Sequence, residues 1–127
     1  MARNRTLVFV AMTIALLAAL VAVSAIFFLR ATANPAILIE NAGEQPLEQM
    51  RCILSVDGIA WTERVDKIEP GEDVEFTRST SDLFVQSLEY SVQGELHQWE
   101  EGGIAAKGET LLLQINDQGD VSTSYVK

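Results

Sequence analysis

His97 is the only histidine and Cys52 the only cysteine in a chain of 127 residues, and together they limit the chemistry its side chains can perform. A Ser-His-Asp triad could be built only around His97, and a zinc or blue-copper centre that needs two or three imidazoles cannot come from one chain. Met50 and Cys52 alternate and so share a face if their segment is a strand. With His97 they are the nearest approach to a soft-ligand set of the kind that binds Cu(I). The same spacing is also what an inward strand face requires, and free cysteine is often buried as a small hydrophobe, so both are assigned to the core. His97, in Leu96 to Trp99, is read as a surface or partly buried strand residue. A lone cysteine makes no internal disulfide.

Asn116-Asp117-Gln118-Gly119-Asp120 has the acids of a calcium loop but lacks its spacing and its distal bidentate glutamate, so a hairpin turn explains it better. There is no glycine-rich phosphate loop, no Cys-x-x-Cys and no basic patch with aromatics, which leaves nucleotide, dithiol-redox and nucleic-acid functions without support. No nucleophile and base stand together. The expectation is a non-enzymatic protein with no cofactor and no metal site.

The elements that carry these residues read as short strands. Asn34-Pro35 opens the folded part, because the residue before proline is pushed out of the helical region. A first strand runs from Ala36 to Asn41, and Ala42 to Pro46 is a turn. Met50, Cys52, Leu54 and Val56 then alternate with Arg51, Ser55 and Asp57. Asp57-Gly58 is a strong hairpin signal, followed by Ile59, Trp61 and Val65 on the return. Pro70-Gly71 fits the centre of a type II turn before a strand holding Val74 and Phe76. Phe84, Gln86, Leu88, Tyr90 and Val92 are expected on one face of a long strand, with Val85, Ser87, Glu89 and Ser91 on the other. Gln93-Gly94 turns the chain into Leu96 to Trp99, and Glu100 to Gly108 is a loop. Strands at Leu111 to Ile115 and Val121 to Tyr125 complete the pattern. Seven or eight short strands without a helical period predict a mainly β domain over residues 36–127, an antiparallel immunoglobulin-like β-sandwich.

Asn41-Ala42-Gly43, Ile68-x-Pro70-Gly71-Glu72 with Phe76, and Gly119-x-Val121, placed after an apolar N-terminal segment, resemble small single-pass bacterial envelope proteins of uncharacterised function. The resemblance spans most of residues 36 to 121. It implies the same fold and carries over no catalytic residue.

The apolar segment explains an apparent contradiction in the composition, a net charge of −9 beside a mean hydropathy of +0.15. From Leu7 to Leu29 only Thr13 and Ser24 are polar, and a helix over this run is about 34 Å long, enough to cross a bilayer. Residues 1–30 contain Arg3, Arg5, Arg30 and no acid, so 6 of the 9 basic groups and all 18 acids fall in the rest, which carries −12. The expected organisation is a cytoplasmic segment 1–6, a transmembrane signal anchor 7–29, a linker 30–35 and the ectodomain. A cleaved signal is the competing reading, with Ala31-Thr32-Ala33 or Val23-Ser24-Ala25 as its site, but the run is longer than the usual apolar region of a signal. Arg3 and Arg5 place the N-terminus in the cytoplasm of a bacterial inner membrane and the acidic domain in the periplasm or outside.

Ala11, Ala15, Ala18, Ala22 and Ala25 recur at heptad spacing, giving one stripe of small side chains on which another helix could pack closely. Expected partners are therefore membrane lipid and other membrane-protein subunits or a second copy of the helix, and no nucleic acid, which the acidic surface repels. The spread of the acids, with only Glu72-Asp73 and Glu100-Glu101 adjacent, suits solubility better than steering of a basic partner. The functional expectation is an accessory or assembly subunit of a membrane complex. The alternative is an envelope module binding a metal, glycan or peptide through loops such as Glu100 to Gly108.

Overall fold

The computed structural model describes residues 33–126. The expected anchor, the alanine stripe and the first residues of the linker lie outside them. Among the described residues, no helix is long and apolar enough to cross a membrane.

Nine strands follow in order: β1 (Ala36–Asn41), β2 (Leu47–Val56), β3 (Ile59–Ile68), β4 (Asp73–Thr77), β5 (Asp82–Val92), β6 (Glu95–Trp99), β7 (Gly103–Ala106), β8 (Thr110–Ile115) and β9 (Val121–Val126). They form two sheets, one ordered β4-β1-β8-β9 and one ordered β3-β2-β5-β6, with β7 also paired to β5. Both sheets bury side chains in one core. Ile37, Ile39, Leu111, Leu113 and Ile115 enter from the first; Leu47, Met50, Cys52, Leu54, Leu83, Val85, Leu88, Tyr90 and Val92 enter from the second. Each large aliphatic side chain removed from water in this way contributes about 1.5–3 kcal/mol.

The turns follow the local chemistry. Asp57-Gly58 and Gln93-Gly94 each place two consecutive residues at positive φ (51° and 80°, 51° and 78°), the backbone of the tight hairpin turn that matches strand twist. Gly71 takes φ 80° behind Pro70, and the Glu72 N–H donates to the Glu69 carbonyl at 3.0 Å, closing the expected type II turn.

Four expectations are corrected. Among the described residues the strands number nine rather than about seven or eight. The sandwich is not wholly antiparallel, because β1 and β8 pair in parallel, Ile37 opposite Leu111 and Ile39 opposite Leu113. The segment from Glu100 to Gly108 is not all loop, since β7 lies inside it and pairs with β5. Finally, β5 does not keep one face throughout. Register slips between Ile53/Ser87 and Leu54/Val85, leaving Gln86 as an extra residue, so Leu83 and Val85 point inward ahead of it and Leu88, Tyr90 and Val92 after it. Phe84 is therefore turned outward, 41% exposed. A bulge of one residue exchanges the two faces of a strand. A second slip between Glu48 and Arg51 does the same on β2, where Gln49 takes φ 50° and both Leu47 and Met50 are buried.

Candidate functional site

Cys52 lies inward on β2, opposite Glu63 of β3 and Leu88 of β5, with no exposed surface. Burial, with a smaller contribution from the Glu63 charge, pushes its thiol up to about 12, so it stays protonated and unreactive near neutral pH. Met50 is buried beside it. His97, on β6, pairs with Tyr90, one strand beyond and two positions along from the Leu88 that faces Cys52. Its ring stacks on Tyr90 with centroids 5.7 Å apart and planes 14° from parallel. The three candidate soft ligands are thus not brought together, and the described residues contain no group of three or more His, Cys, Asp or Glu able to hold a metal ion.

One end of the sandwich gathers Asn41, Gly43, Pro70-Gly71 and Gly119, and uses them to join segments distant in sequence. Asn41, 1% exposed, donates from Nδ2 to the carbonyls of Gln45 (2.7 Å) and Ile68 (2.9 Å), while its Oδ1 accepts the Gly43 N–H (3.0 Å). Its own backbone accepts from Gly71 and donates to the Glu72 carbonyl, holding the Pro70-Gly71 turn against the end of β1. Asp117 Oδ1 accepts the N–H groups of Glu44 (2.8 Å) and Gln45 (3.0 Å). Gly43 has no side chain because a Cβ there would overlap that carboxylate.

Asn116 Oδ1 accepts from Gln118 (3.0 Å) and Asp120 (2.9 Å), folding the turn on itself. The Tyr90 hydroxyl donates to the Gly119 carbonyl, and burial followed by the Asp120 charge pushes that phenol up to about 12. A Cβ on Gly119, whose φ is 79°, would overlap the His97 ring. The side chains of Asn116 and Asp117 in the calcium-like segment, together with Tyr90 and the His97 ring stacked on it, are therefore committed to closing this end of the domain. The hairpin-turn reading accounts for the backbone of Asn116 to Asp120 and for the Asn116 side chain.

The outer face of the second sheet is the more open surface. Cross-strand register places Arg64, Arg51, Glu89 and Gln98 in one row from β3 to β6. Arg51 and Glu89 approach to 3.9 Å, Arg51 exposed and Glu89 partly so, a pair worth at most about 1 kcal/mol. The β2 bulge opens a groove of about 340 Å³ beside this row, lined by Gln49, Met50, Arg51, Arg64, Val65 and Leu96 among others. Towards the other end, Phe84 and Ile104 face each other across β5 and β7, 41% and 37% exposed. At the rim, Arg78 lies 4.8 Å over the Trp61 ring and bonds Glu63 at 2.9 Å, while the Trp61 indole donates to the same carboxylate at 3.1 Å. This cluster closes the β3 margin of the core.

Reasoning from sequence did not find the Asn41 and Asp117 junction or the outward Phe84. Asn41 was visible only as the end of the first strand and Asp117 only as a turn residue, and Phe84 was hidden by the bulge.

No protein-family model matches the chain, and no curated protein sequence does. Among solved structures, an NMR structure of a protein from Eubacterium rectale is similar, with 15% identity and a TM-score of 0.47 over 74% of this chain and 89% of that one.

Proposed function

We propose that the chain is a non-enzymatic, membrane-anchored accessory or assembly subunit of a larger membrane complex in a bacterial inner membrane. The apolar run Leu7 to Leu29 crosses the bilayer with its N-terminus in the cytoplasm, and its alanine stripe packs on a neighbouring helix. The immunoglobulin-like domain stands in the periplasm or outside and contacts the same complex there. The observation that carries this reading is the change from a 23-residue run with only two polar members to a folded β domain within the few positions from Arg30 to Pro35. The outward Phe84 and Ile104 and the polar row Arg64-Arg51-Glu89 give the domain a surface of the mixed kind found at protein contacts. The junction chemistry supports a structural role for Asn41, Asn116 and Asp117.

Ligand binding through Glu100 to Gly108 has less support, because four residues of that segment are held in β7 against β5. Purification of the full chain in mild detergent, with identification of what accompanies it, tests the proposal. A larger membrane assembly is expected to co-purify. A chain released from membranes by alkaline carbonate would overturn the reading.

A further inference from the structure

Among the described residues β9 is a free edge of the sheet ordered β4-β1-β8-β9, and the hydrogen bonds of β8 show which of its backbone groups are unused. On the β1 side, the Glu109 carbonyl accepts the Ala36 N–H at 3.1 Å and the Ile115 carbonyl accepts the Ala42 N–H at 2.9 Å. Backbone polar groups alternate from side to side along a strand, so the odd-numbered residues of β8 turn to β1 and the even-numbered ones to β9. The Asn116 N–H, which donates to the Asp120 carbonyl at 3.1 Å, follows the same alternation. Ser122 and Ser124 stand opposite Gln114 and Leu112 and therefore bond back to β8. The N–H and C=O groups of Val121, Thr123 and Tyr125 point away from the sheet.

The side chains of this edge carry no charge: the strand reads Val-Ser-Thr-Ser-Tyr-Val, and all but Val121 are exposed. Other edge strands carry charges of the kind that discourages pairing, Asp73 and Glu75 on β4, Glu63 to Lys67 on β3, and Glu95 on β6. The uncharged β7 is only four residues long. In a chain of net charge −9, copies repel one another over most of their surface, and β9 is where a second copy meets no like charge. The strand is also nearly symmetric about Thr123, with serine on either side and an apolar or aromatic residue beyond, and a two-fold contact requires such self-complementarity.

We propose that β9 pairs antiparallel with β9 of a second copy about a two-fold axis at Thr123, joining the two four-stranded sheets edge to edge. Thr123 then faces Thr123 of the second copy, Val121 faces Tyr125, and Ser122 faces Ser124. Each residue with outward N–H and C=O groups meets another such residue, whereas an axis at Ser122 or Ser124 leaves one of the three without a partner on the strand. Thr–Thr and aromatic–β-branched pairs are among the favourable cross-strand combinations.

Disulfide trapping in the full chain in detergent tests the register. Directly opposed residues of a hydrogen-bonded pair have Cα atoms about 5.5 Å apart, within disulfide reach, whereas residues offset by two positions are beyond about 7 Å. Thr123→Cys is expected to give a disulfide-linked dimer. Ser122→Cys alone and Ser124→Cys alone should give none, and the two mixed should link. Cys52 is buried and stays in every variant. Thr123→Pro removes an N–H that β8 does not use, so it should keep the fold and abolish trapping by the mixed Ser122→Cys and Ser124→Cys chains. Absence of the Thr123→Cys dimer, equal linking at all positions, or a product whose mass is not twice that of the chain overturns the proposal.

Discussion

Asp117 accepts the Glu44 N–H at 2.8 Å across 73 positions of sequence, joining the β8–β9 turn to the β1–β2 loop. The same oxygen takes the Gln45 N–H, so one carboxylate holds two N–H groups that nothing else in that loop would bond.

Asp117→Ala should therefore lower stability by about 1–3 kcal/mol in urea unfolding, the usual range when charge-assisted hydrogen bonds are removed. Gly43→Ala should act through the same contact, because its Cβ displaces that carboxylate. The double variant should cost clearly less than the two losses added together, since both remove one interaction. Additive losses would show that the two residues act independently.

Asn41 is expected to be the more sensitive position. It is buried, and Asn41→Ala leaves the Ile68 and Gln45 carbonyls and the Gly43 N–H without their partner. A loss of about 2–4 kcal/mol is expected from the cost of unpaired buried groups, read as a lower urea midpoint. A change below about 0.5 kcal/mol, the scale of an ordinary surface substitution, would contradict the bonding described.

The turns were legible from sequence because they depend on neighbouring residues: Asp57-Gly58, Pro70-Gly71 and Gln93-Gly94 each adopt the backbone their side chains favour. The inward placement of Cys52 and Met50 followed from alternation. What alternation could not show was where it breaks. Gln86 and the Gln49 bulge carry no local signal, yet each exchanges the faces of the strand beyond it. Nor could composition separate a glycine that bends from one that packs. Gly103 was read as loop, but a Cβ there would lie 2.6 Å from the Leu111 side chain, so it lets β7 approach β8 closely. The parallel pairing of β1 with β8 joins segments with most of the domain between them, and no spacing announces it.

Alkaline pH should destabilise the fold in a defined window. The ordinary values are 9.0 for Cys52 and 10.0 for Tyr90, and both are raised to about 12 when folded. Well below pH 9 each group is protonated whether folded or unfolded, so neither makes stability depend on pH. Above it the unfolded chain loses protons that the folded chain retains, and stability falls from about pH 9 towards 12. Cys52→Val, which keeps an apolar side chain in place, should flatten the first part of this decline in urea unfolding measured against pH. An unchanged slope would contradict the burial of the thiol.

The N-terminus provides a separate check on topology. Mass spectrometry of the mature protein should find the apolar run intact, with Arg3 and Arg5 still ahead of it. A chain beginning at Ile26 or Asn34 would mean that the run is a cleaved signal.

Ala15→Leu with Ala18→Leu tests most directly whether the alanine stripe docks this chain on a larger membrane complex, as proposed. On native gels in mild detergent, the unaltered chain should migrate with an assembly larger than two of its own copies, and the double variant should be released from it with its domain still folded. Unchanged co-migration of the variant, or an unaltered chain that runs alone, would contradict the account.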